Sequence, residues 1–188
     1  MKIDSHEISD SSRVFVIAEL SANHNQNLDI AIETIKAAKR SGADCIKLQT
    51  YTPDTLTINS NKDDFKIKGT IWSGKNYYEL YGEAFTPWEW HKKLFEVAKE
   101  EGLVCFSSPF DKSSVDFLEN LSVPAYKIAS FEITDIPLIE YVASKNKPVI
   151  ISTGIASLED IEMALKACKR MGNHQISLLK CTSSYPAP

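Results

Sequence analysis

Two lysines interrupt apolar stretches that otherwise have the composition of buried strands. Lys47 lies within residues 45–50 and Lys127 within residues 126–130. Side chains alternate between the two faces of a strand, so each lysine shares a face with only every second neighbour. Lysine is seldom fully buried without a partner. Each lysine therefore lies either on a wet strand edge or in a cavity that requires a positive charge.

Other apolar runs also end in polar side chains. These are Glu19; Lys47 and Gln49; Ser107 and Ser108; Lys127, Ser130 and Glu132; Ser152 and Thr153; and Lys180, Thr182, Ser183 and Tyr185. Two lysines at matching positions, with several hydroxyls, indicate a site for a phosphate or carboxylate group. Two alternatives stay open: Lys47 as a Schiff-base nucleophile, and Glu19 as its structural ion-pair partner rather than an acid, a base or a hydroxyl-binding group.

The elements that must position these residues alternate along the chain. Apolar, β-rich runs predict strands at 14–20, 45–49, 103–106, 125–129, 148–151 and 176–179, and helical spacing predicts helices at 28–40, 87–101, 113–121, 136–144 and 158–171. Such alternation predicts a parallel sheet covered by helices.

Two α/β architectures fit this alternation, an open doubly wound sheet and a (β/α)8 barrel. No glycine-rich turn follows the first strand, which disfavours a dinucleotide-binding sheet. Polar groups instead follow every strand, which is where barrel enzymes place their sites. A complete barrel takes about 250 residues. We therefore predict a TIM-type barrel truncated after about six βα units, with residues 1–188 as one incomplete barrel domain.

Residues 51–85 break the alternation, being polar at first and then aromatic. Long irregular segments in compact domains are usually lids or binding loops. We expect this segment near the mouth of the barrel, where its aromatic side chains either cover a substrate or serve in packing. His24 follows the first strand and could bind metal or substrate, whereas His91 and His174 are predicted to lie at the surface.

Composition narrows the class of protein. The chain has 188 residues, of which 43% are hydrophobic, and a net charge of -4. These values suit one soluble domain and give no basic stripe for nucleic acid. The sequence has no apolar run of membrane-spanning length, and residues 1–13 are polar and lack the apolar core expected of a signal peptide. Four scattered cysteines without a CxxC pair predict reduced thiols in a cytoplasmic protein and argue against a zinc site.

Six motifs, in chain order and covering nearly the whole chain, resemble those of the sialic acid synthase family. They are IAELSANHN at 17–25, IKLQT at 46–50, SSPFD at 107–111, YKIASFE at 126–132, ISTG at 151–154 and CTSSYP at 181–186. Within the family, GTIWSGK at 69–75 and YGEAFTPWEW at 81–90 are most similar to the pseudaminic acid synthase branch.

The resemblance implies a barrel enzyme that condenses phosphoenolpyruvate with an open-chain amino sugar. For the pseudaminic branch the sugar is 2,4-diacetamido-2,4,6-trideoxy-altrose, and the products are pseudaminic acid and phosphate. Matching positions imply phosphoenolpyruvate binding by Lys47, Ser108, Lys127, Ser130, Ser152 and Ser183, sugar binding by Gln49, Glu132 and Tyr185, and a catalytic Glu19 facing the sugar. Ser183 departs from the family, where an asparagine is common, and Lys180 replaces a histidine and receives no role.

The resemblance also implies a divalent metal, manganese or magnesium, held by two histidines from later strands and so with no ligand in this chain. A homodimer is implied as well, in which the partner's antifreeze-like domain caps the site. We therefore expect the 188-residue chain alone to lack synthase activity. Alternatives are an N-acetylneuraminic or legionaminic acid synthase, another phosphoenolpyruvate aldol-type synthase, and a shortened paralogue that only binds a ligand.

Overall fold

The computed structural model describes residues 1–182, and its main feature is a curled sheet of six parallel strands with helices on its outer side. The strands are β1 (Lys2–Ile3), β2 (His6–Glu7), β3 (Ile17–Glu19), β4 (Cys45–Thr50), β5 (Val104–Pro109), β6 (Tyr126–Ile128), β7 (Val149–Ser152) and β8 (Ile176–Leu179). The helices are α1 (Leu28–Arg40), α2 (Pro53–Leu56), α3 (Tyr77–Ala84), α4 (Trp88–Glu100), α5 (Lys112–Asn120), α6 (Ile136–Ala143) and α7 (Leu158–Arg170).

Strands β3 to β8 pair in chain order, each parallel to the next, as successive βα units of a barrel do. The prediction of a TIM-type barrel truncated after six βα units is thus confirmed. None of the helices in the described part of the chain combines the length and apolarity that a membrane span requires.

The predicted long helices begin and end at recognisable caps. The side chain of Asn27 accepts hydrogen bonds from the backbone of Asp29 and Ile30 at the start of α1. Ser157 forms a capping box with Asp160 at the start of α7. Both caps satisfy backbone N–H groups that have no partner within the helix. Gly42 follows α1 with a φ of +89°, a conformation that glycine adopts without steric cost.

The two faces of the sheet have different partners. On the outer face, Ile46 and Leu48 pack with residues of α1 and α4. On the inner face, Cys45 and Phe106 form a cluster that includes Ile3 of the β1–β2 hairpin. The hairpin therefore closes the amino-terminal end of the barrel, a role that the polar sequence of residues 1–13 did not reveal. Apolar side chains fill this lower layer, so the polar residues of the same face lie above it.

Two sequence-based predictions of secondary structure were wrong. Residues 14–20 were predicted as a buried strand, but only Ile17–Glu19 is a strand, and Val14 and Val16 are 78% and 47% exposed. The carboxylate of Asp44 accepts the Val16 backbone N–H, and the Val16 carbonyl accepts the backbone N–H groups of Asp44 and Cys45, so the regular ladder to β4 begins only after Val16. Residues 51–85 contain α2, a 3-10 turn at Asp63–Phe65 and α3, where no regular element was predicted.

Candidate active site

Lys47 lies in an interior strand, since β4 is paired on both sides. The residue is 9% exposed, and its Nζ lies 2.6 Å from Oε1 of Glu19, its register partner on β3. The amide of Gln49 donates to the same carboxylate oxygen at 3.2 Å. The wet-edge explanation for Lys47 is therefore wrong, because the lysine points into the barrel and is charge-paired there.

Lys127 occupies the corresponding face of β6. Its ammonium donates to the hydroxyl of Ser152 on β7 and to the carbonyl of Ile128 at 2.7 Å. Burial lowers the pKa of Lys127 to about 8, and the positive charge of Lys47 contributes to this shift. The two lysines therefore lie close enough to repel each other. An anion between them would relieve that repulsion.

Two buried polar atoms in the described part of the chain have no hydrogen-bond partner, Oγ of Ser108 and Oε2 of Glu132. Ser108 lies on β5 with its side chain on the interior face, two residues after Phe106. Burial raises the pKa of Glu132, although the charge of Lys127 opposes the shift. Buried polar groups normally have partners, and unpaired ones cost free energy. Both atoms are thus available to a ligand at this end of the barrel.

Ser130 connects the loops that follow β6, β7 and β8. Its hydroxyl accepts the backbone N–H of Gly154 at 3.3 Å and donates to the Cys181 sulfur at 3.8 Å. Burial raises the pKa of Cys181, but hydrogen bonds from Ser152, Thr153 and Ser130 and the charge of Lys127 outweigh it and lower the pKa. Cys181 was missed as a neighbour of the site, because a lone cysteine after a strand carries no distinctive spacing.

The structure therefore brings together seven of the predicted residues at the carboxyl ends of the strands. They are Glu19, Lys47, Gln49, Ser108, Lys127, Ser130 and Ser152, with Glu132 in the 3-10 turn Phe131–Thr134 beside them. Ser183 and Tyr185 lie outside the described residues.

The comparisons with known proteins identify the family. Residues 34–188 match the model of the NeuB family. The chain belongs to the NeuB family. It is 53% identical over 174 residues to the pseudaminic acid synthase of Campylobacter jejuni, and the match covers 93% of this chain and 51% of that protein. It is 39% identical over 181 residues to the N,N'-diacetyllegionaminic acid synthase of Legionella pneumophila, covering 94% of this chain and 51% of that protein.

A NeuB-family structure has the same fold. The N-acetylneuraminic acid synthetase of Leptospira borgpetersenii, solved in complex with citrate, superposes with a TM-score of 0.86 at 29% identity and covers 100% of this chain and 61% of that one. The chain thus spans about half the length of the curated relatives it matches.

Two histidines of this NeuB-family chain differ from their predictions, His24 in its role and His91 in its burial. His24 was a candidate for metal or substrate binding, but it is buried and both ring nitrogens already have partners, the backbone N–H of Gln26 and the hydroxyl of Thr86. His91 was predicted at the surface and is fully buried. His174 is exposed as predicted. Among residues 1–182, no cluster of three or more His, Cys, Asp or Glu side chains could hold a metal ion.

The low pKa of Lys127 predicts opposite pH dependences for anion binding and for stability. Sulfate keeps its charge through this range, so its affinity should hold up to about pH 8 and then fall by up to about tenfold per pH unit as Lys127 loses its proton. Folding should gain stability between about pH 8 and about pH 10.5, because the unfolded lysine binds the proton more tightly.

Calorimetric titration with sulfate and chemical unfolding, each across this pH range, would measure the two effects. The matched variant is Lys127→Met, which should bind sulfate weakly and lack both slopes. A wild-type affinity that stays level to about pH 10 would show that the charge of Lys127 does not hold the anion.

Proposed function

We propose that this chain is the phosphoenolpyruvate-binding part of a nonulosonic acid synthase that makes pseudaminic acid. One observation carries the proposal: two mutually repelling lysines and an unpartnered buried serine hydroxyl converge at the carboxyl ends of the strands. Identity supports the pseudaminic product, since it is 53% to a pseudaminic acid synthase and 39% to a legionaminic acid synthase.

Phosphoenolpyruvate carries a phosphate and a carboxylate, and the site offers two cations to match them. Lys47 and Lys127 would each hold one anionic group, with hydroxyl donors from Ser108, Ser130 and Ser152 completing the hydrogen bonds. Ser183 is a further candidate by position. The cations are fixed in advance by the strands that carry them, so binding costs little reorganisation.

The sugar would lie above the anion site. Gln49 and Glu132 are its proposed partners, together with Tyr185. Burial raises the pKa of Glu132, and its unpartnered Oε2 is a candidate partner for a sugar hydroxyl. Holding the sugar aldehyde against C3 of phosphoenolpyruvate is itself a large share of the rate gain.

The proposed reaction forms one carbon–carbon bond and expels phosphate. The π electrons of phosphoenolpyruvate bond C3 to the aldehyde carbon, and the aldehyde oxygen takes up a proton. Positive charge develops at C2, water adds there and loses a proton, and the resulting tetrahedral carbon expels phosphate to leave a ketone. Glu19 would stabilise the charge at C2 or orient the water, because its carboxylate is fixed beside Lys47.

A divalent metal, manganese or magnesium, and a homodimer belong to this proposal for the whole synthase, as does a cytoplasmic location. The residues described do not fit a metal site, so no step above depends on one.

Two measurements test the proposal. Phosphoenolpyruvate should raise the melting temperature of the 188-residue chain, because a ligand that binds only the folded state stabilises it. Phosphate release from phosphoenolpyruvate and the diacetamido altrose should occur only in a chain extended to the length of its relatives. Release by the 188-residue chain would contradict the predicted inactivity, and the absence of any melting shift would contradict the binding site.

The same assays separate the alternatives. Faster turnover of N-acetylmannosamine, of the legionaminic precursor or of an unrelated aldose in the extended chain would assign another product. Binding of phosphoenolpyruvate without turnover of any sugar in the extended chain would indicate a protein that only binds its ligand.

A further inference from the structure

A chain of buried hydrogen bonds lies directly behind the candidate active site, on the outer face of the sheet. The hydroxyl of Thr50 lies 2.9 Å from Nε2 of His91 and 2.7 Å from the hydroxyl of Ser107. Nδ1 of His91 lies 3.2 Å from the carbonyl oxygen of Pro87. The three side chains are fully buried. We name this set, Ser107, Thr50 and His91, the rear hydrogen-bond chain.

The direction of each hydrogen bond in the rear chain is determined. A carbonyl oxygen only accepts, so Nδ1 of His91 carries a proton. Burial lowers the pKa of His91 to about 4, so the ring is neutral near pH 7 and Nε2 is an acceptor. Thr50 must therefore donate to His91, which leaves the Thr50 oxygen to accept from Ser107. In this arrangement both ring nitrogens of His91 and the hydroxyl of Thr50 have hydrogen-bond partners, and the backbone of Gln49 and Trp88 also lies within hydrogen-bond reach of the ring.

The rear chain joins the ends of two strands to the first turn of α4. Thr50 directly follows Gln49, and Ser107 directly precedes Ser108. Gln49 and Ser108 are register partners on β4 and β5. Because side chains alternate between faces, fixing Thr50 and Ser107 on the outer face fixes how their neighbours point on the inner face. The indole of Trp88 adds a hydrogen bond to the carbonyl of Tyr51, the residue after β4.

We propose that Thr50, Ser107 and His91 are positioning residues that hold the Ser108 hydroxyl towards the anion site and the Gln49 amide towards the Glu19 carboxylate beside it. This inference rests on the proposed function for its ligand, phosphoenolpyruvate, but the geometry concerns any anion held at Ser108. The hydroxyl of Ser108 has no hydrogen-bond partner of its own among the described residues. Its direction therefore depends on the backbone conformation that the rear hydrogen-bond chain fixes.

A second buried histidine provides a matched control. His24 accepts the Gln26 N–H at Nδ1, so its Nε2 donates to the hydroxyl of Thr86 at 3.2 Å. Thr86, like Thr50, is a buried threonine whose hydroxyl bonds a histidine ring. The chain neighbours of Thr86 are Phe85 and Pro87, and neither is among the proposed anion-binding residues. Thr50→Val and Thr86→Val therefore each remove one buried threonine–histidine hydrogen bond, and only the first lies behind Ser108.

Melting-shift titrations with phosphoenolpyruvate and with sulfate would test the inference on the chain as it stands. Thr50→Val should weaken both ligands by about tenfold, the loss of roughly one well-placed hydrogen bond. Thr86→Val should change them less than about twofold despite a similar drop in melting temperature. Thr50→Ser keeps the hydroxyl and should restore binding. Ser107→Ala should give a smaller loss, and it replaces Thr50→Val if that variant does not fold.

Three outcomes would overturn the positioning role: unchanged affinity in Thr50→Val, equal weakening in Thr86→Val, or no rescue by Thr50→Ser. The proposed function would fail by a different result, namely wild-type protein that binds sulfate but not phosphoenolpyruvate. In that case the sulfate titrations of the variants still test the positioning role. Nitrogen NMR gives an independent readout, because His91 should carry its proton on Nδ1 and His24 on Nε2. The same tautomer in both would contradict the assigned hydrogen bonds.

Discussion

Lys47→Met should abolish phosphoenolpyruvate binding while leaving the fold intact. A hydrogen-bonded charge contributes up to about 3 kcal/mol, which corresponds to a loss of up to about 150-fold in affinity. Methionine has a flexible, unbranched side chain that fills the space of the lysine stem. The Lys47–Glu19 pair is half exposed on the glutamate side, so its removal should cost the free energy of unfolding no more than about 1 kcal/mol.

Calorimetry with phosphoenolpyruvate and thermal unfolding by circular dichroism would separate the two effects. The matched control is Lys92→Met, which makes the same replacement at an exposed position on α4 and should leave binding unchanged. If Lys47→Met binds phosphoenolpyruvate as the wild type does, Lys47 does not hold the ligand. Retention of phosphoenolpyruvate turnover in an extended chain carrying Lys47→Met would exclude Lys47 as a Schiff-base nucleophile as well.

The barrel and the cation pair could be predicted from the sequence because both depend on local patterns. A lysine within an apolar run is visible in the sequence, and alternation of strands and helices brings the strand ends to one side of the sheet. In the structure, Lys127 lies close enough to Lys47 for the charge of Lys47 to lower the pKa of Lys127, as expected for two cations at one site. The roles assigned to these side chains towards substrates stay predictions.

The residues that were missed depend on tertiary packing. His91 is a polar residue followed by Lys92 and Lys93, and the hydrogen bond that satisfies it in its buried position comes from Thr50, 41 positions away in the sequence. Helix α3 is only eight residues long and contains Gly82, so its apolar spacing is too brief to recognise. The β1–β2 hairpin places one apolar residue, Ile3, inside the barrel, and a single residue gives no periodicity.

The carboxylate of Glu19 and an anionic ligand would compete for the positive charge of Lys47. Nζ of Lys47 lies 2.6 Å from the carboxylate of Glu19. Under the proposed function, phosphoenolpyruvate has to take over part of the charge of Lys47 from this adjacent carboxylate. A carboxylate that opposes the binding of an anionic substrate is a cost unless it acts later in the reaction, and this agrees with the catalytic role proposed for Glu19.

Glu19→Gln should consequently separate binding from turnover. In a chain extended to the length of its relatives, we expect kcat to fall by about a thousandfold, within the usual range for losing a positioned catalytic carboxylate. The affinity for phosphoenolpyruvate should instead rise, by up to about fivefold, because a half-exposed ion pair is worth up to about 1 kcal/mol and glutamine no longer competes for Lys47. Steady-state kinetics and calorimetry of the same preparation would measure both.

The control is Glu33→Gln, which removes a carboxylate from the exposed surface of α1 and should change neither quantity. Weaker phosphoenolpyruvate binding in Glu19→Gln, with turnover within tenfold of the wild type, would show that Glu19 only supports Lys47 structurally. General damage to the site would lower both the affinity for phosphoenolpyruvate and the turnover. Loss of a catalytic carboxylate that competes with the ligand should raise the affinity and lower the turnover, so the two explanations predict different results.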